Sequence, residues 1–385
     1  AVERAVAAAR GRNAVVHLPA GRTYALSPLA LVEETGLELR IDGVVRAPPM
    51  DRWPAPPHED ASLSPERRRM RYAFLEIRYC RDVSLTGGGG VEGAGRAWWR
   101  VRKRKPERRA PVLVLIREST GVAVRHLALG DSPFYHLVVV DSNRVSLESL
   151  RIASPHGSVN TDGVDILAST DVLVRDCWVS TGDDNVAVKE GSRRVAVVGG
   201  VFHKGHGLSI GSLGEGGTTA SVEDVSLRDV RFVRTSNAAR LKTWQGGRGR
   251  IRNVTFRDLD VRGVGQPLVV DQFYCPASQH PGACANETDA VAVERVAVSG
   301  ITGWHTSGVA AMLHCAPSSP CDVEVTGLRL SSAPGCSNVV RCLNVARPAD
   351  PSAACARGDE MHGYRLDLSR RQRREMAGNV SCVHP

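Results

Sequence analysis

Apolar and polar residues alternate in short bursts along most of this chain. The bursts read Val122-Ala123-Val124, Val145-Ser146-Leu147, Val172-Leu173-Val174, Val195-Ala196-Val197, Val225-Ser226-Leu227, Val254-Thr255-Phe256, Val296-Ala297-Val298 and Val323-Glu324-Val325. Period-2 alternation in β-branched residues over so few positions predicts short strands. A polar pair and a second alternation follow most bursts, as in Arg228-Asp229-Val230-Arg231-Phe232, so each repeat carries more than one strand with a turn between them. Such a strand cannot bury its apolar side chain alone, and successive repeats must stack about 4.8 Å apart. Recurrence at roughly 20 to 50 residues marks a solenoid. The predicted fold is all-β, a single-stranded right-handed parallel β-helix. A leucine-rich solenoid would need leucine at its consensus positions and a helix per repeat, whereas valine dominates here.

At the start of the chain the spacing changes to that of a helix, with Val2, Ala5, Val6 and Ala9 on one face. This predicts a short helix within residues 1–12 that caps the open edge of the first coil. A chain of 385 residues has room for two or three average domains. Solenoids ignore that prior, so one domain over 1–385 is expected, with Cys-rich coils and a cap from about 275 to 385.

No apolar run approaches the roughly 20 residues of a membrane span, and no membrane partner is expected. The chain shows no signal peptide and does not begin with Met, so a processed or trimmed chain is expected. Six of the ten cysteines fall between Cys275 and Cys342. Cys275 with Cys284 and Cys315 with Cys321 would close short loops, as in a disulfide-stapled secreted protein. Three pairings of Cys336, Cys342, Cys355 and Cys382 remain open, while Cys80 and Cys177 read as buried free thiols. Sequons at Asn253, Asn286 and Asn379 agree with an extracellular location. No histidine stands at ligand spacing beside a CxxC, so no metal site and no cofactor is expected. The net charge of +9 points to an acidic partner. For a secreted chain an acidic polysaccharide fits better than nucleic acid, and a monomer is expected. Much of the excess lies in the run Arg100 to Arg109, RVRKRKPERR, which reads as a solvated loop without a catalytic role.

Four motifs carry candidate chemistry: NTDG ending at Gly163, GDD ending at Asp184, GHG ending at Gly207, and Arg240-Leu241-Lys242. Asp162 and Asp183 are 21 positions apart, Asp184 and His206 are 22 apart, and His206 and Arg240 are 34 apart. Stacked coils would bring Asp162, Asp183 and Asp184 into one patch, where like charge raises at least one pKa and the set titrates as a unit. One protonated and one ionised carboxyl is what glycoside hydrolysis requires. His206 would hold a carboxylate in place, and Arg240 and Lys242, two positions apart on a strand, would face one way and grip an anion. Each motif alone is an ordinary turn or strand face. All four, in order and at coil spacing, point to one site.

These residues strongly resemble the signatures of glycoside hydrolase family 28, the polygalacturonases, here as SVNTDG, TGDD, GHGLSIGSLG and ARLKTWQGG. The likeness extends from Ile41-Asp42-Gly43 through GGGGVEGAGRAWW and DSPFYHLVVVDS to VDQFYC. It implies a secreted pectin hydrolase with a right-handed parallel β-helix that cleaves α-1,4 galacturonosyl bonds of pectate with inversion. Carried over residue by residue, Asp183 is the general acid, and Asp162 and Asp184 position and deprotonate water. His206 orients the carboxylates, Arg240 and Lys242 bind a galacturonate carboxylate, and Asn160 and Tyr274 also contact substrate. Plant-type members have a cysteine directly after the Asp pair and another three residues before GHG; here these are Asn185 and Phe202, and Leu241 replaces an isoleucine. The rival readings are an exo-acting, rhamnogalacturonan or xylogalacturonan hydrolase of the same family, a calcium-dependent pectate lyase, and a non-catalytic pectin-binding β-helix.

Overall fold

The computed structural model describes residues 2–11, 13–56, 63, 67–68, 70–275, 288–334 and 338–346, and the backbone of 355–356. The fold is a right-handed parallel β-helix. Its chain forms two compact units, Ala1–Ala187 with Arg194–Gly205 and Val188–Arg193 with His206–Pro385.

In the first unit each coil contributes three strands, and each strand pairs in parallel with its counterpart one coil on. One ladder runs through Ser84–Thr86, Ala123–Arg125, Asn143–Glu148 and Thr170–Arg175. A second runs through Gly90–Glu92, Ala128–Gly130, Arg151–Ala153, Trp178–Ser180 and Val201–His203. The turn between these ladders is the polar pair, bent by His126, Ser149 and Asp176 at positive φ. Parallel register places like on like. Val124, Leu147 and Val174 stack inside, as do Leu129, Ile152, Val179 and Phe202. Outside, Arg125, Glu148 and Arg175 form a charged ladder joined at 3.2 and 3.5 Å.

The third ladder bears on the site. It comprises Leu29–Val32, Ala73–Arg78, Val112–Arg117, Leu137–Val140 and Val164–Leu167. Its middle strands are buried on both faces, which matches their unbroken apolar runs. NTDG, ending at Gly163, enters Val164–Leu167, and GDDN, ending at Asn185, enters Val186–Val188 one coil on, so the two segments lie side by side.

In the second unit the first two faces begin as separate strands, Thr219–Arg228 and Arg231–Val233, which both pair with Arg248–Val264, and from there on they merge into single long strands, Arg248–Val264, Ala292–His305 and Val323–Ser332. The other face comprises Leu208–Leu213, Asn237–Trp244, Gln266–Tyr274, Val309–His314 and Val339–Leu343. Leu227, Phe256, Val298 and Val325 form its internal stack.

The expected N-terminal helix is present as Val2–Ala9, which buries Val2, Val6 and Ala9 and packs on Val15–Leu18. Cys315 and Cys321 are bonded as expected. Cys275 and Cys342 each take part in a disulfide of their own. Cys284, Cys336 and Cys382, the side chain of Cys355, and the sequons Asn286 and Asn379 lie outside the described residues. Cys80 and Cys177 are buried free thiols, and burial lifts Cys177 to about 11.

A second helix, Arg96–Arg102, was not foreseen. It occupies the start of the basic run and buries Trp98, Trp99 and Arg102, spaced three and four positions apart on one face. The solvated-loop reading therefore fails at Arg102, which is only 8% exposed.

Candidate active site

Two stacked turns in the first unit hold the carboxylates. The Gly163 N–H donates to the Asp184 carbonyl at 2.9 Å and the Val164 N–H to the Asn185 carbonyl at 3.1 Å, so NTDG and GDDN are joined through their backbones. Side chains complete the join. The Gly182 N–H donates to Thr161 Oγ1 at 3.0 Å, Ser158 and Thr161 hydroxyls lie 2.7 Å apart, and Thr161 is fully buried. Glycine is needed at two of these positions by close approach. A Cβ on Gly163 would stand 2.4 Å from the Asn185 carbonyl oxygen, and one on Gly182 would stand 2.0 Å from that of Ser158.

Within this frame Asp162 and Asp184 are buried, whereas Asp183 and Asn160 are half-buried. Carboxylate oxygens of Asp183 and Asp184 lie within 4.8 Å of one another. The Asp183 carboxylate is held at both oxygens. Oδ1 accepts the Asp184 N–H at 2.9 Å, and Oδ2 accepts Asn160 Nδ2–H at 3.3 Å. Asn160 Oδ1 in turn accepts Arg102 Nη2–H at 2.7 Å. Asn185, at the place of the plant-type cysteine, is fully buried and donates to the Val179 carbonyl at 3.2 Å, so an internal hydrogen bond occupies that position.

Beneath Asp162 lies His136, fully buried. Both its backbone N–H and its Nδ1–H donate to the Asp162 carbonyl at 2.9 Å, and its Nε2 accepts the Ser154 hydroxyl at 2.8 Å. Burial depresses this imidazole to about 4, which keeps it neutral. A lone histidine at a strand start carries no periodic signal, so nothing in the sequence of DSPFYHLVVVDS marks His136 out.

In the second unit Arg240 and Lys242 flank the core residue Leu241 and so share the opposite face of their strand. Arg240 Nε donates to Ser209 Oγ at 3.1 Å on the preceding strand. Lys242 Nζ lies 5.3 Å from the Tyr274 ring centroid, a cation–π distance, and Trp244 meets the same ring edge-on at 5.5 Å. The three predicted residues Arg240, Lys242 and Tyr274 are thus together. His206, half-buried, precedes Gly207, whose φ of 76° and whose closeness to the Asn237 carbonyl, 2.3 Å from a built Cβ, explain the second glycine of GHG.

A carboxyl that sequence reading passed over stands beside the cations. Asp271 is the register partner of Lys242, with His314 its partner on the other side. Burial raises Asp271 to about 6, against the opposing pull of the Phe273 N–H and of the Arg240 and Lys242 charges. Burial, aided by the Arg341 charge, lowers His314 to about 4. The signal for Asp271 was its place in VDQFYC, one strand after the cation motif.

The first unit thus carries paired acidic turns and the second a cation–aromatic face, each on a parallel β-helix. The description "Glycosyl hydrolases family 28" matches residues 19–355, and the chain belongs to that family. It is 31% identical over 91% of its length to a polygalacturonase of Chamaecyparis obtusa, and 32% identical over 85% to a probable polygalacturonase of Arabidopsis thaliana. The matches span 65% and 69% of those two relatives, about two thirds of their length. Among solved structures it is similar to the endo-xylogalacturonan hydrolase of Aspergillus tubingensis. There the TM-score is 0.76 at 21% identity, with 90% of this chain and 93% of that one covered, a likeness of fold.

Proposed function

We propose that this chain is a polygalacturonase that hydrolyses α-1,4 galacturonosyl bonds of pectate with inversion. The observation that carries the reading is the Asp183 carboxylate, fixed at both oxygens on the stacked NTDG and GDDN turns of a family 28 chain. Asp183 gives its proton to the glycosidic oxygen as the bond from that oxygen to the anomeric carbon breaks. Water attacks that carbon from the opposite face and loses its proton to Asp162 or Asp184. His206 orients the carboxylates. Arg240 and Lys242 bind a galacturonate carboxylate, Tyr274 lends an aromatic surface and Asn160 a polar contact to the sugar. The bonded pair Cys315–Cys321 supports an extracellular location, and no helix among the described residues is long and apolar enough to cross a membrane. We also propose that the protein works as a monomer, with the N-terminal helix covering one strand edge.

The test is incubation with demethylated polygalacturonate with and without a chelator, following reducing ends and ultraviolet absorbance together. Reducing ends without new absorbance are expected. New absorbance that chelator abolishes would make the protein a calcium lyase, and silence in both channels would leave a binding protein or a hydrolase of branched galacturonans.

A further inference from the structure

We infer that Arg102 is a positioning residue for the acid: its guanidinium locks the Asn160 amide so that its N–H edge faces Asp183. The catalytic part of this inference rests on the hydrolase reading, whereas the lock itself does not.

Arg102 sits at the end of the helix Arg96–Arg102 and is held on three sides. Nη1–H donates to the Arg108 carbonyl at 2.7 Å, Nη2–H to Asn160 Oδ1 at 2.7 Å, and the guanidinium carbon lies 4.4 Å from the Phe134 ring centroid. Asn160 occupies the left-handed region with φ of 49°, a conformation that asparagine tolerates better than most residues, so its side chain leaves the turn in a set direction. From there Nδ2–H reaches Asp183 Oδ2 at 3.3 Å.

An asparagine amide has nearly the same shape after a half turn, but its two ends differ chemically. With Nδ2 toward Asp183 it donates to a carboxylate. With Oδ1 toward Asp183 it would repel the carboxylate and accept from the carboxylic acid. A general acid becomes more negative as its proton leaves, so a fixed donor at Oδ2 favours the transition state over the resting acid. The cation on Oδ1 makes the reversed amide unfavourable, since Arg102 can only donate. It also polarises the amide, which strengthens the N–H toward Asp183. A lysine would supply charge but not the fork that reaches the Arg108 carbonyl and Asn160 together.

The test is a double-mutant cycle of Arg102→Gln and Asn160→Ala read in kcat and KM on polygalacturonate. Arg102→Gln is expected to lower kcat by about ten- to a hundred-fold, the scale of a small misplacement, with KM within about two-fold. Added to Asn160→Ala it should cost no more kcat than Asn160→Ala alone. Effects that multiply, or a KM change at constant kcat, would overturn the inference. Should Arg102→Gln not fold, Arg102→Lys carries the same cycle, with a smaller loss expected. A second readout is independent of turnover. In protein labelled with 15N-asparagine, the Asn160 side-chain amide pair, identified by its absence in Asn160→Ala, is expected to shift in the Arg102 variant. An unmoved pair would refute the lock. If the wild type releases no reducing ends, the hydrolase reading falls, and the amide resonance alone decides the role of Arg102.

Discussion

At the scale of single residues, the two halves of the proposed chemistry separate into groups that act on the bond and groups that hold the sugar. Asp183→Asn keeps the shape but only one of the two acceptor contacts, since its NH2 faces a donor where a carboxylate oxygen stood, and it has no proton of the right acidity to give. It is expected to cut kcat at least a thousand-fold while binding of a pectate oligomer stays within a few-fold. Reducing-end assays beside calorimetric titration check this, and turnover within a few-fold of wild type would remove Asp183 from the role of acid. Lys242→Ala removes a cation that burial and the Tyr274 ring hold in place, and is expected to raise KM by ten-fold or more. If kcat falls as well, the contact tightens in the transition state; unchanged steady-state constants would show that Lys242 does not touch substrate. Asp183 and Lys242 stand out in the sequence as candidates because the order and spacing of their motifs mark them, whereas Tyr274 follows only from the family resemblance. Arg102 does not stand out, because a run of ten mostly charged residues averages to a solvated segment and hides the one cation whose neighbours Trp98 and Trp99 turn it inward. Asp271 and His136 were missed for a related reason: their environments come from register partners and backbone carbonyls in other coils, which no local pattern displays.

At the scale of elements, the site depends on how closely two turns can stack. The alternating triplets foretold the strands, and the polar pairs foretold the bends between them, since a residue at positive φ is needed at each corner. The triplets did not reveal the third strand of each coil. Segments such as Val112–Arg117 are buried on both faces, and burial on both sides erases the alternation. Those strands aim the NTDG and GDDN turns. Gly182 is where the turns come closest, because a Cβ there would lie 2.0 Å from the Ser158 carbonyl oxygen and 2.8 Å from its hydroxyl. That carbonyl cannot swing away freely, as it accepts the Thr161 hydroxyl at 3.3 Å. Gly182→Ala is therefore expected to destabilise the protein by about 1–3 kcal/mol and to cut activity more than ten-fold by displacing the adjoining Asp183 and Asp184. Gly130→Ala is the control, since a Cβ there meets nothing within 4 Å, and it should change stability by less than about 0.5 kcal/mol. Equal effects of the two substitutions on melting and on rate would show that the turn stacking does not matter.

At the scale of the whole molecule, two buried histidines and one half-buried carboxyl give stability an opposing dependence on pH within one window. His136 and His314 are held neutral down to about 4, whereas the unfolded chain protonates them near 6.5. Between those values the unfolded state binds the extra protons, and their contribution is lost as pH falls. Asp271 runs the other way. It keeps its proton up to about 6 when folded but loses it near 3.8 when unfolded, so its contribution is present at low pH and lost as pH rises through 6. Between pH 4 and 6 the two histidines outweigh the one carboxyl by a single proton, which corresponds to stability rising by about 1.4 kcal/mol per pH unit from these groups. The differences between variants isolate each contribution. Asp271→Asn should steepen the slope of unfolding free energy against pH, to about twice that value, and raise stability most above pH 6. His136→Gln should flatten the slope toward zero, whatever it does to absolute stability. Denaturant unfolding at half-unit steps from pH 4 to 7 reads all three proteins. Parallel curves for wild type and Asp271→Asn would show that the carboxyl beside Lys242 is ionised throughout the window, and that the cations rather than burial govern it.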